Sequence, residues 1–185
     1  MTNKERFMQL YSKIDRKGTA DLLEWLEQSD FFVAPASTKY HGCYEGGLLE
    51  HSLNVYDALV KLLTIYPEIQ VAEESIIISS LFHDLCKVNM YKKETRYRKD
   101  ENGKWEPYDA YTHDELLHYG GHGSKSVFIL QNFIKVTLDE AIAINCHMSS
   151  WEDNPGVGAA FEHCPLAWLV HVADESATFI TEVKH

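Results

Sequence analysis

The stretch from Ile76 to Phe82 is apolar except for Ser79 and Ser80, and it runs directly into His83-Asp84. From Val71 to Cys86 the pattern is too long and too polar inside for a strand, so it reads as a helix buried against others. Such a helix commits the chain to a helical core. It also carries two polar side chains to the core-facing helix end, where their desolvation requires partners. Metal coordination supplies such partners; capping or an ordinary hydrogen bond is the blander reading of an isolated His-Asp pair.

Further helical patterns surround this one. Short ones occupy residues 4–14 and 20–28, with Asp21 placed to cap the second. Gly46-Gly47 precede a stronger repeat by three and four, through Leu48, Leu49, Ser52, Val55, Tyr56, Leu59, Val60 and Leu63. Helical spacing returns over Ser124 to Phe133, and Thr137-x-x-Glu140 is a capping-box pattern that opens another helix. Pro165 suits the first turn of a last helix running to Ile180. Phe128, Leu130, Phe133 and Trp168 are assigned to the core. Between these helices, residues 91–108 read differently. Glu94 to Arg98 and Gly103 to Glu106 flank an Asn102-Gly103 turn signal, which predicts a small hairpin centred on residues 93–106. Asp109 to Gly123 reads as a loop with short helical turns, and Trp151 to Phe161 as another loop-like segment. The expectation is one all-α domain over residues 1–185 with a small inserted β-hairpin.

Charge and cysteine usage narrow the function classes. The 17 Lys and Arg stand against 28 Asp and Glu, a formal charge of -11, which disfavours broad, non-specific binding to nucleic acid polymers. Met1 to Gln9 contains no apolar signal-peptide core, and no run reaches the length of a membrane span. A cytoplasmic protein without membrane attachment is the expectation, and nothing points to a protein partner. Cys43, Cys86, Cys146 and Cys164 form no CxxC pair, and most of them read as buried small thiols.

The ten histidines are the informative count. His51, His83-Asp84, His122, His147 and Asp174 are separated by 32, 38, 25 and 27 residues, and each gap has room for a helix and its connection. Ligands from several helices could thus converge inside a bundle. Imidazole nitrogens with carboxylate oxygens suit a divalent transition metal better than an oxygen-only magnesium cage. Asp84 has two oxygens with which to bridge neighbouring ions.

Taken together, the segments Gly46-Gly47-Leu48-Leu49-Glu50-His51-Ser52, His83-Asp84-Leu85-Cys86-Lys87, Gly121-His122-Gly123, His147-Met148 and His171-Val172-Ala173-Asp174 resemble the HD-domain metal-dependent phosphohydrolase superfamily. The resemblance covers roughly residues 40–180 and implies an HD-domain helical bundle. It further implies a first metal on His51, His83, Asp84 and Asp174. Members with a two-metal centre also use His122 and His147 with Asp84 shared, and the alternative for these two histidines is substrate contact or a buried hydrogen-bond network. Two positions depart from the family pattern. Cys86 replaces the common glycine, and Met148 stands where some relatives have a second histidine, so the ligand cluster is not extended to it.

The implied reaction is hydrolysis of a phosphomonoester or phosphodiester, with a small nucleotide-like substrate favoured. One or two divalent ions, manganese, iron or cobalt with magnesium left open, would activate water. Asp84 and Lys87 are the catalytic candidates. Lys87, Lys125, His171, Arg96 and Arg98 are the candidates for substrate contact, each weighed against a solvated or core role. Tyr91, Tyr97, Trp105, Tyr108, Tyr111 and Trp151 either line a base pocket or pack in loops. Two other readings stay open: a di-iron oxygenase of the same structural superfamily, and a noncatalytic nucleotide-binding regulatory module.

Overall fold

A computed structural model describes residues 1–114, 121–148 and 156–183. Helices α1 (Asn3–Tyr11) and α2 (Thr19–Gln28) lead into α3 (Gly47–Ile65) and α4 (Glu73–Phe82), and a 3-10 turn follows at Leu85–Lys87. The strands β1 (Tyr91–Lys99) and β2 (Trp105–His113) come next. Helices α5 (His122–Gln131), α6 (Leu138–Cys146), α7 (Val157–His163) and α8 (Pro165–Ser176) complete the order, and α8 runs on into a π-helical turn at Ala177–Thr181. Among the described residues no helix is long and apolar enough to cross a membrane. The chain is mostly helical with one two-stranded antiparallel sheet.

Two apolar clusters meet along α3. Leu48, Leu49 and Leu53 pack with Phe7, Leu22, Phe31, Ile77, Leu81 and Phe82. One turn further on, Val55, Ala58 and Leu59 pack with Ala143, Leu166, Leu169, Val170 and Ala173. Helix α3 therefore touches α4 on one side and α8 on the other, and His51 and Ser52 fall on its buried face between the clusters. The predicted capping box is present: Thr137 Oγ1 accepts from Glu140 N while a Glu140 carboxylate oxygen accepts from Thr137 N. The same Glu140 carboxylate is fully buried and receives both terminal nitrogens of Arg16 at 2.7 Å, which ties the α1–α2 connection to α6.

Several sequence expectations are corrected. The helix expected to continue to Cys86 stops at Phe82, because Asp84 takes a bridge conformation and the next residues wind into a 3-10 turn. The hairpin is longer than 93–106, since Tyr91 pairs with His113 and the ladder continues to Lys99 opposite Trp105. Asp109 to His113 is thus strand, not loop. The Asn102-Gly103 signal does mark the turn that joins the two strands. Gly103 alone has positive φ (77°), and its N–H donates to Asp100 O while Asp100 N–H donates to Lys104 O. That is a three-residue loop with Gly103 at the left-handed bulge position, pinned by the Asp100 carboxylate, which accepts from Asn102 N and Lys104 N. Val157 to Phe161 is helical rather than loop. Phe128 is 62% exposed, because α5 turns Gly123, Lys125, Ser126 and Leu130 inward instead. Residues 115–120 of the expected 109–123 segment, and Trp151 with the rest of 151–155 in the expected 151–161 loop, lie outside the described residues.

Candidate metal centre

Two histidines are fixed by the same local device. His83 is the C-terminal cap of α4, and its Nδ1 lies 2.8 Å from Ser80 O; His147 is the C-terminal cap of α6, and its Nδ1 lies 2.7 Å from Ile144 O. A carbonyl oxygen only accepts, so Nδ1 holds the proton in both rings and Nε2 keeps its lone pair. His51, one turn into α3, is oriented by a carboxylate instead. Its Nδ1 lies 3.0 and 3.3 Å from the two oxygens of Glu182, so this nitrogen too carries the proton.

The three Nε2 atoms point into one buried space. His51 Nε2 is 3.2 Å from His83 Nε2 and 3.1 Å from Asp174 Oδ1. His83 Nε2 is 3.4 Å from Asp84 Oδ2, and His147 Nε2 is 3.5 Å from Asp84 Oδ1. His147 Nε2 and Asp84 Oδ1 are buried with no hydrogen-bond partner among the described residues. Among the described residues, potential ligand atoms thus form four overlapping triples: His41, His51 and Glu182; His51, His83 and Asp174; His83, Asp84 and His147; Asp84, Cys86 and His122. Within each triple the atoms lie within 4.8 Å of one another. Successive triples share His51, His83 or Asp84.

All six residues expected to hold metal are therefore neighbours, contributed by α3, the end of α4, the start of α5, the end of α6 and α8. The approach of α5 to α6 depends on Gly123. A Cβ there would sit 2.4 Å from Ile144 O and 2.5 Å from Asn145 O, so only glycine lets His122 come this close to the α6 terminus. At the α3 entrance Gly47 lies against the backbone of Gly42 in the same way.

Charge in this space is tightly coupled. Burial opposes ionisation of His51, yet hydrogen bonds to Asp174 and Glu182 outweigh it and push its pKa up to about 9. Burial likewise works against the Asp84 carboxylate. The charges of Lys87 and His83 and the proximity of His147 overcome it and hold Asp84 well below the usual carboxylate range. Asp174 is also depressed; burial opposes its charge, but His51 more than compensates. A proton on His51 thus occupies the place a cation would take between facing acceptors. Nitrogen and oxygen donors at these spacings fit a divalent transition metal. Two nitrogens 3.2 Å apart match neighbouring ligands at ~2.1 Å from one ion.

Of the remaining expected residues, Lys87 and His171 contact this centre. Lys87 is buried and donates to Asp84 Oδ2 at 2.5 Å. Lys125 is buried in the first turn of α5, and burial lowers its pKa. His171 supports the centre from behind: its Nδ1 is 2.7 Å from His147 O, and its ring stacks on Phe161. Arg96 and Arg98 are exposed on β1, where they hydrogen-bond to Glu94 and Glu106. Cys86 is a buried thiol raised to about 12 by burial, with its N–H donating to Ser126 Oγ.

Two residues of the centre had no assigned role in the sequence. Glu182 lies eight residues beyond Asp174 with no motif around it. His41 sits on an irregular segment between Phe31 and Cys43, and its ring lies 4.8 Å from that of His51. A short strap places it: Ser37 Oγ donates to His41 O and Ala36 N donates to Gly42 O. Burial and the charges of His51 and Lys87 bring the His41 pKa down to about 4.

Comparison with known proteins gives one similarity to report. A dihydroneopterin 2',3'-cyclic phosphate phosphodiesterase from Methanocaldococcus jannaschii is 34% identical over 153 residues, 81% of this chain and 53% of the relative. This chain spans about half the length of that relative. No family model matches the chain, and no solved structure matches it.

Proposed function

We propose that this chain is a metal-dependent phosphohydrolase of the HD-domain type, and that it hydrolyses a small phosphodiester of the cyclic phosphate class. One observation carries the reading: three imidazole Nε2 atoms and two carboxylates are packed in a buried space beside the Lys87 ammonium. Asp84 Oδ1 and His147 Nε2 face each other there without a hydrogen-bond partner among the described residues, and a divalent cation between them would satisfy both. The relative's action on a cyclic phosphate supports the reaction class. The whole chain serves as one domain, with the motif region 40–180 forming the metal-binding bundle.

In this reading His51, His83, Asp84 and Asp174 hold one ion, and Asp84, His122 and His147 hold a second. Bound divalent ions supply Lewis acidity and lower the pKa of water. The protein's own groups do the rest. Asp84 divides its oxygens, one toward His147 and one toward His83 and Lys87. Lys87 and Lys125 place positive charge against the phosphate, where charge accumulates as water adds to phosphorus and one ester P–O bond breaks. His171 fixes the backbone that carries His147, and Arg96 and Arg98 lie on the hairpin as outer phosphate contacts. Cys86 takes no part, because its thiol is kept neutral by burial.

The test is anaerobic purification, elemental analysis, and assay of a 2',3'-cyclic nucleotide with manganese, iron or cobalt. Bound metal and conversion of the cyclic diester to a monoester, abolished by a chelator, are expected. A protein that binds none of these ions and opens no phosphoester would overturn the proposal. Oxygen uptake coupled to substrate oxidation without phosphoester hydrolysis would replace it with the oxygenase reading.

A further inference from the structure

We propose that Glu182 is the positioning residue for His51, and that docking of the turn after α8 is coupled to metal loading. The inference rests on the metal centre proposed above. Glu182 accepts from His51 Nδ1 at 3.0 Å and from Asn54 Nδ2 at 2.9 Å, both through Oε1. Its side chain is only 6% exposed, so this is an enclosed contact rather than a solvated ion pair. Asn54 lies three residues after His51 on α3, so one carboxylate grips two successive positions of the same helical face.

The backbone explains how Glu182 gets there. Asp174, on α8, faces His51 Nε2 from the opposite edge of the imidazole. Continued as a regular α-helix, a residue eight positions later would lie about 80° around the axis from Asp174. Instead Ala177–Thr181 widens into a π-helical turn, closed by Glu182 N–H donating to Ala177 O at 2.9 Å. The wider turn delays the rotation and returns Glu182 to the side that carries Asp174. Ala177, fully buried against α3 and α8 neighbours, anchors the start of that turn.

The chemistry follows from the two edges of one ring. Nδ1–H is committed to Glu182, which fixes the tautomer, prevents the ring from flipping and raises the basicity of Nε2. Nε2 then offers its lone pair to the space shared with Asp174 and His83. Loss of the carboxylate leaves the ring free to rotate and Nδ1 without its charged acceptor. Because the same carboxylate holds the 177–183 segment to α3, an ion on Nε2 strengthens the grip on that segment, and the segment in turn favours the ion.

Cobalt(II) tests this in the full-length chain, because its visible absorption reports ligand geometry as well as occupancy. Wild type, Glu182→Ala and Glu182→Gln are titrated with Co2+ against a competing chelator, and amide hydrogen exchange over 177–183 is followed with and without Co2+. Glu182→Ala is expected to weaken Co2+ binding by about 10–100-fold and to lose the Co2+-dependent protection of 177–183. Glu182→Gln keeps an acceptor oxygen without the charge and should fall between the two. A folded Glu182→Ala protein that binds Co2+ like wild type overturns the inference, as does wild-type behaviour of Glu182→Gln should the alanine variant not fold. Failure of the wild type itself to bind Co2+ overturns the metal centre instead, so the two results are distinguishable.

Discussion

Asp84 and Lys87 form a buried pair whose disruption separates the structural role of the carboxylate from its metal role. Asp84 is 3% exposed and Lys87 is 7% exposed, with Nζ 2.5 Å from Oδ2. Asp84→Asn preserves shape and removes the charge. In chelator, where no metal contributes, the change strands the Lys87 ammonium among Leu85, Cys86 and Val88, all buried. Stranding one member of a buried pair costs about 3–5 kcal/mol. For a chain of this size each kcal/mol moves Tm by roughly 2–4 °C, so the apo protein should melt roughly 6–20 °C lower. Adding Lys87→Met removes the stranded charge and replaces the stem with one of similar volume, so the double variant should recover most of that loss. Neither variant should bind metal as wild type does. Circular dichroism melts in chelator, beside elemental analysis of metal-reconstituted samples, read both quantities. An Asp84→Asn protein that melts with the wild type in chelator, or a double variant as unstable as the single one, would refute the stranded-charge reasoning. Wild-type metal content in Asp84→Asn would remove Asp84 from the centre altogether.

Two further predictions concern the scaffold. Burial works against ionisation of Glu140, but hydrogen bonds from Arg16 and Ser75 hold its pKa below the ordinary value. Its contribution to stability is therefore present above the unfolded pKa near ~4.3 and is lost as pH falls through the lower folded value. Glu140→Gln should cost about 3 kcal/mol near neutral pH, the low end for a broken buried pair because Glu74 still meets Arg16. Urea unfolding should then show a gap from wild type that narrows in acid; a gap that stays constant to below pH 3 contradicts this ionic account. Gly123→Ala places a methyl group within 2.6 Å of three backbone atoms of Ile144 and Asn145. It should lower stability by about 1–3 kcal/mol and weaken occupancy of the His122–His147 side first, measured by metal stoichiometry.

Helix α3, the body of α4, the capping box of α6 and the proline start of α8 were legible because periodicity and caps are local signals. From spacing alone the six candidate ligands were legible only as separated residue types; the family resemblance implied their grouping, and the packing of α3 between α4 and α8 is what brings them together. What the pattern missed has physical causes. Phe128 is apolar but faces solvent, because the inward side of α5 is set by Gly123 meeting the α6 terminus rather than by its largest side chain. The second half of β2 reads as loop because Asp109, Tyr111 and His113 alternate without a buried face; its pairing with β1 is what makes it strand. Glu182 gave no signal, since its inward aim depends on a π-turn that no local composition specifies.

The ring geometry of the centre also sets what binding an ion must do to protons. His83 and His147 spend Nδ1 on carbonyls three residues earlier, and His51 spends it on Glu182. Each therefore has a single nitrogen left to offer, and all three face Asp84 or Asp174. In the absence of a cation the cheapest way to hold Asp174 Oδ1 at 3.1 Å from His51 Nε2 is a proton on that nitrogen, and the His51 pKa near 9 is the consequence. An entering divalent ion competes for the same lone pair and must displace that proton. Affinity should consequently rise with pH up to about 9, where His51 gives up its proton unaided, and flatten above it. A Co2+ titration in weakly buffered solution near pH 7 should acidify by about one proton for the His51 site. A titration that releases no proton while the ion binds would mean that His51 Nε2 is not a ligand, whatever the other histidines do.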